Sequence, residues 1–161
     1  MKMVAPLERA IVCFDMERML RFYVDILGLR LVSDIQATPE IGKAIHISQH
    51  GYRIVRLQTP YGERIKLICS NVPPSPHPGY DYVYECQGHA YLTFIVSDME
   101  AILPTLEAHD IPIESDGVVE VRPGVLAFFI KDPEGNFIEI CDYPEIATYR
   151  PDLFPPQGSA S

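Results

Sequence analysis

Residues 132–140, DPEGNFIEI, place a carboxylate inside what otherwise reads as an apolar strand: Glu139 is flanked by Phe137, Ile138 and Ile140. A charge in such a run calls for a partner, a ligand or a chemical task, because desolvating it alone is costly. A carboxylate there can pair with a cation, ligate a metal ion or take a proton from carbon. The other chemistry-bearing residues are scattered. His46 and His50, in AIHISQHGYR, fall in a loop before a strand. Arg53 and Arg56 differ by three positions and cannot share one face of a regular strand, so one is free to reach an anionic substrate while the other is solvated. Cys13, Cys69, Cys86 and Cys141 form no C-x-x-C pair, which gives no case for a zinc knuckle, and they read as small hydrophobes kept reduced.

Charge and length narrow the classes. The formal charge of −9 on 161 residues repels phosphate backbones and anionic lipid, so neither nucleic acid nor membrane is an expected partner. No stretch has the roughly 20 apolar residues of a membrane span, and the start, MKMVAPLERAIVCF, lacks the order of a secretory signal, so the expected location is cytoplasmic. The length suits one domain. Phosphate-binding glycine loops and G-x-S-x-G are absent, which removes the usual nucleotide and serine-hydrolase readings.

The elements that must position Glu139 repeat. IVCFDMERMLRFYVDILGLRL reads as a short strand, an Asp-Met-Glu helix start, and a helix with apolar positions at Met16, Leu20, Tyr23, Val24 and Leu27, closed by Gly28. FIVSDMEAILPTLEAHDIPI repeats the plan 83 positions later, with Asp15 and Asp98 as N-cap candidates and Pro104 tolerable only near the first turn. Three strand-like runs follow each helix: LRLVSDI, YRIVRLQT and RIKLICS, then IPIES, VLAFFIK and NFIEICDY. Each half reads strand, helix, three strands, and so a duplicated module in an α+β fold. Four prolines between 73 and 78 mark a linker. The tail from Pro144 to Ser161 has no helical or alternating period; its last residues are expected to be disordered, with Tyr149, Leu153 and Phe154 able to dock on the body.

RFYVDILGLRL in the first half and FFIKDPEGNFIEI in the second resemble the vicinal oxygen chelate superfamily, the group of glyoxalase I, bleomycin-resistance proteins and extradiol dioxygenases. The resemblance covers about residues 6–143 and is specific for the superfamily rather than for any one member. It implies two βαβββ modules, about 6–70 and 89–143, whose curved sheets enclose a cleft, with a linker at about 71–88 and a proline-rich tail at 144–161. It also implies a homodimer, with modules paired within or between chains.

Metal-binding relatives resemble one another in taking one ligand from the first and one from the last strand of each module. Carried over by register, those positions are Glu8, Lys66, Tyr91 and Glu139 in this sequence. The departure is substantial, because a protonated lysine cannot ligate a cation and tyrosine is a poor ligand unless ionised. His89 lies two residues before Tyr91, and a bulge there would turn its imidazole inward and restore a Glu8, His89, Glu139 set for one divalent metal ion.

Without metal, the resemblance implies an acid–base cluster in which Glu139 or Glu8 removes a proton beside a carbonyl while Lys66 and Tyr91 hold the enolate oxygen. The leading expectation is therefore lyase or isomerase chemistry on a small oxygenated metabolite. The alternatives are a non-catalytic protein that sequesters a small molecule, with Lys66 simply ion-paired to Glu8 or Glu139, and a metal-dependent oxygenase.

Overall fold

The computed structural model describes residues 3–76, 79–85, 87, 88 and 90–154. His89, Cys86 and the end of the tail, 155–161, for which the sequence predicts a metal ligand, a reduced thiol and disorder, lie outside the described residues. The chain divides into two compact units, residues 1–79 together with the turn Asp132–Gly135, and Tyr80–Lys131 together with 136–161.

In the first unit, β1 (Glu8–Cys13), β2 (Arg30–Ala37), β3 (Tyr52–Gln58) and β4 (Arg64–Ser70) form a sheet of order β1-β4-β3-β2. β1 runs parallel to β4, and the other neighbours are antiparallel. Period-two alternation sends Ile11, Cys13, Val55, Leu57, Ile65 and Leu67 to one face, where all are buried. The helix between β1 and β2 supplies Met16, Met19, Phe22 and Tyr23 to the same core. It begins as α1 (Met16–Leu20), with the Asp15 carboxylate accepting from the Arg18 amide, and continues as a π-helical segment, Arg21–Ile26. Gly28, at φ +74°, takes the left-handed conformation that ends it, as the sequence predicts. Arg53 holds Glu17 of α1 at 2.6 Å and Asp34 of β2 at 2.8 Å, so it is bound in place rather than solvated. A further helix, α2 (Pro39–Ala44), capped by Thr38, is one that the sequence pattern does not reveal.

The second unit repeats the order as β5-β8-β7-β6, with β5 (Leu92–Val96), β6 (Val119–Arg122), β7 (Val125–Lys131) and β8 (Phe137–Asp142). Its core joins Phe128, Ile130, Ile138 and Ile140 with Met99 and with Leu106 of α3 (Leu103–Ala108).

Three expectations need correction. IPIES is not a strand; β6 begins at Val119, because Pro112 lacks a ladder donor and the Ser115–Gly117 turn follows at once. Asp98 does not cap α3. It accepts from the Ala101 amide in a preceding turn, and α3 starts only at Leu103, since Pro104 has no N–H to bond the carbonyl one helical turn earlier. The tail does contain a short helix, α4 (Ile146–Tyr149), whose Tyr149 ring stacks on Tyr143 with centroids 4.1 Å apart. Leu153 and Phe154 stay largely exposed.

Candidate functional site

Register builds a polar centre on the first sheet, on the face opposite the α1 core. One rung across the four strands reads Ser33, Arg56, Lys66, Ala10, and the neighbouring same-face rung reads Arg30, Gln58, Arg64, Glu8. A bulge between Leu31 and Ser33 brings residues 30 and 33, three apart, to the same face. Glu8 lies 3.5 Å from the Lys66 ammonium, 3.5 Å from the Arg64 guanidinium and 3.9 Å from that of Arg56. Arg56 also donates to Ser33 Oγ, while the Gln58 side-chain oxygen accepts from both Arg64 and Arg30. Beside this polar centre Tyr52, Ile54 and Ile68 form a small apolar cluster on the same face.

A divalent metal ion does not fit the positions Glu8 and Lys66 on this sheet. One carboxylate here faces three cations, and the lysine stands at a ligand position with no lone pair to offer. Among the described residues no group of three His, Cys, Asp or Glu side chains gathers as a metal cage.

The second sheet answers the question that Glu139 raises. Ile138 and Ile140 point into the core, so alternation turns Glu139 to the opposite face. There it shares a rung with Thr93 and Phe129. Thr93 Oγ1 donates to Glu139 Oε2 at 2.7 Å, and the Tyr91 ring meets Phe129 edge-on with centroids 5.3 Å apart. Lys131, on the same face, is held by Glu114 at 3.0 Å and by the Tyr80 carbonyl at 2.8 Å. Among the described residues no lysine or arginine forms a salt bridge to Glu139. Below it, burial and then the Glu139 charge push the Cys141 thiol up, while burial raises Tyr143 to about 12.

The structure thus brings Glu8 and Lys66 together in the first unit, and places Glu139 and Tyr91 around Phe129 in the second. His46 and His50 lie in the loop after α2, as the sequence predicts. Thr93, Arg30 and Arg64 are not legible as site residues from sequence. The signal for Thr93 is the same 83-residue offset, which aligns it with Ala10, and each of these stands opposite the last-strand position of its own module.

Comparison with known proteins supports the fold strongly. Solved structures that align include a glyoxalase family protein from Bacillus cereus, at 20% identity, TM-score 0.74, 88% of this chain and 95% of that one. A trypanothione-dependent glyoxalase I from Leishmania major aligns at 21% identity and TM-score 0.64, covering 96% of this chain and 97% of that one. A glyoxalase family protein from Enterococcus faecalis aligns at 20% identity and TM-score 0.62, covering 87% of this chain and 97% of that one. No curated protein matches the sequence. Residues 5–140 match the sequence pattern of a single family, so the chain belongs to the Glyoxalase/Bleomycin resistance protein/Dioxygenase superfamily.

Proposed function

We propose that this superfamily member is an enzyme performing lyase or isomerase chemistry on a small oxygenated metabolite through an enolate-like intermediate. The observation that carries the reading is the environment of Glu139, a half-buried carboxylate whose described partner is the neutral Thr93 hydroxyl at 2.7 Å. One carboxylate oxygen is oriented by that bond, and the other is available to take a proton from a carbon beside a carbonyl. The C–H electron pair passes into the carbonyl, and the resulting oxyanion needs a donor. Tyr91 supplies one in the same unit: its ring is braced against Phe129, and among the described residues its hydroxyl makes no hydrogen bond. Return of the proton to a different carbon gives isomerisation; loss of a leaving group gives elimination.

Glu8 is less available as a base, because its carboxylate is already engaged by three cations. Lys66, engaged with Glu8, is better suited to binding than to proton transfer. A second reading, sequestration without turnover, is favoured by the Glu8–Lys66 ion pair beside the apolar Tyr52, Ile54 and Ile68.

The deciding experiment is a turnover screen with small 2-oxo and 2-hydroxy compounds, run on wild type and Glu139→Gln while solvent deuterium incorporation is followed by proton NMR. The enzyme reading expects exchange in wild type and a fall of about 10²–10⁴-fold in the variant, with ligand affinity kept within about twofold. Binding without exchange in either protein would move the conclusion to sequestration.

A further inference from the structure

We infer that the polar rungs of the first sheet form a subsite for an anionic ligand group, a carboxylate or phosphoryl. The inference goes beyond the enzyme reading above and stands independently of it. Four cations, Arg30, Arg56, Arg64 and Lys66, occupy two adjacent rungs of one sheet face, and Glu8 is the one acidic side chain in those rungs. In a chain of formal charge −9 this is a local reversal of sign.

The opposite face of the same sheet shows what a structural ion pair looks like in this protein. There Arg53 meets Asp34 through two guanidinium nitrogens, at 3.0 and 2.8 Å, and Glu17 at 2.6 Å. Around Glu8 the separations are 3.5, 3.5 and 3.9 Å, all longer than charge-assisted hydrogen bonds. One carboxylate with two oxygens cannot engage three cations closely, so ammonium and guanidinium donors are left over.

Burial makes the excess charge useful. The Arg56 and Lys66 side chains are each 28% exposed, so their fields are less screened than those of extended surface lysines. Ala10, the smallest side chain in its rung, ends the row beside Lys66 and leaves the ammonium approachable. An anion with two or three oxygens would match the forks of Arg56 and Arg64 and the point charge of Lys66.

The test is a binding titration that needs no turnover. Inorganic phosphate and malonate are titrated separately into the full chain, by phosphorus NMR line width and by calorimetry respectively. Saturable binding is expected for at least one probe, weakening as salt rises, and whichever binds more tightly identifies the group. Lys66→Gln and Arg56→Gln should each weaken it about tenfold, and Arg56→Lys, which keeps the charge, about threefold. Glu8→Gln should tighten it several-fold, because it removes the competing carboxylate; a purely structural ion-pair network would predict lower thermal stability and no gain in affinity. Glu139→Gln should bind as wild type does.

Absence of saturable binding for both probes, or unchanged affinity in Lys66→Gln and Arg56→Gln whose circular dichroism matches wild type, would overturn the subsite while leaving the Glu139 proposal intact. Normal anion binding with no exchange in any substrate screen would instead sink the catalytic reading and leave the subsite standing as the ligand site of a sequestering protein.

Discussion

The Tyr23 hydroxyl donates a hydrogen bond to Asp132 Oδ2 at 2.9 Å, joining two buried side chains 109 positions apart in sequence. The same turn reaches α1 through Glu134, whose carboxylate accepts from the Phe14 amide at 2.8 Å and the Asp15 amide at 2.7 Å. The Asp-Pro-Glu-Gly turn that precedes Glu139 is therefore explained by anchoring: Asp132 satisfies a buried phenol and Glu134 caps a helix start.

Tyr23→Phe should lower stability by about 1–3 kcal/mol, since it removes a partner of a buried carboxylate and keeps the ring packing. Urea melts of wild type and variant check this, and a change under about 0.5 kcal/mol would mean that Asp132 is satisfied well enough without the phenol.

Glu134→Ala should cost about 1 kcal/mol by stranding the amides at the start of α1. Hydrogen exchange should rise at Phe14 and Asp15 ahead of the rest of the sheet, whereas uniform acceleration would point to global destabilisation instead.

Stability should fall as the solution becomes strongly alkaline. Burial, followed by the neighbouring Cys69, pushes the Cys13 thiol from 9.0 up to about 12, and burial together with the Asp132 charge pushes the Tyr23 phenol well above its ordinary value. Both groups are neutral when protonated and hold their protons more tightly in the folded chain. Their contribution is thus complete below the unfolded values and is lost as pH rises through the folded ones. Melting temperature should decline from about pH 9 to about pH 12, and Cys13→Ala should flatten the first part of that decline. An unchanged slope in Cys13→Ala would assign the loss to other groups.

Much of the fold can be read in sequence where burial is two-sided or alternation is strict. VLAFFIK and RIKLICS coincide with β7 and β4, and the 83-residue offset that pairs Glu8 with Tyr91 also pairs Ala10 with Thr93, the residues that stand opposite Lys66 and Glu139. Arg53 and Arg56 do point to opposite faces, as their spacing requires. The convergence of Arg30, Arg64 and Lys66 on one patch is hidden, because it depends on inter-strand register and on a bulge in β2 that no local pattern announces. IPIES misleads because alternation alone does not reveal the missing donor of Pro112. The π-helical stretch Arg21–Ile26 has the same apolar spacing as an ordinary helix, so periodicity cannot separate the two.

Gly42 gives a last prediction in which two rules oppose each other. It lies inside α2, where alanine is preferred to glycine by about 1 kcal/mol, so Gly42→Ala would be expected to stabilise on propensity alone. The space around it argues otherwise. A Cβ at position 42 would stand 2.5 Å from the Ser48 carbonyl oxygen, a backbone atom that cannot rotate away. The loop that carries Ser48 is fixed by its own bonds: the Ile47 and Ser48 amides donate to the Gly42 carbonyl at 3.0 and 3.3 Å, and Ser48 Oγ donates to the Gly51 carbonyl at 3.0 Å. Relief of the clash would have to break several of these, at about 1 kcal/mol each, which exceeds the propensity gain. Gly42→Ala should therefore destabilise by about 1–3 kcal/mol, with amide exchange rising first at Ile47 and Ser48. A variant that melts at or above the wild-type temperature would show that the loop after α2 yields without loss, and that the buried glycine is not required there.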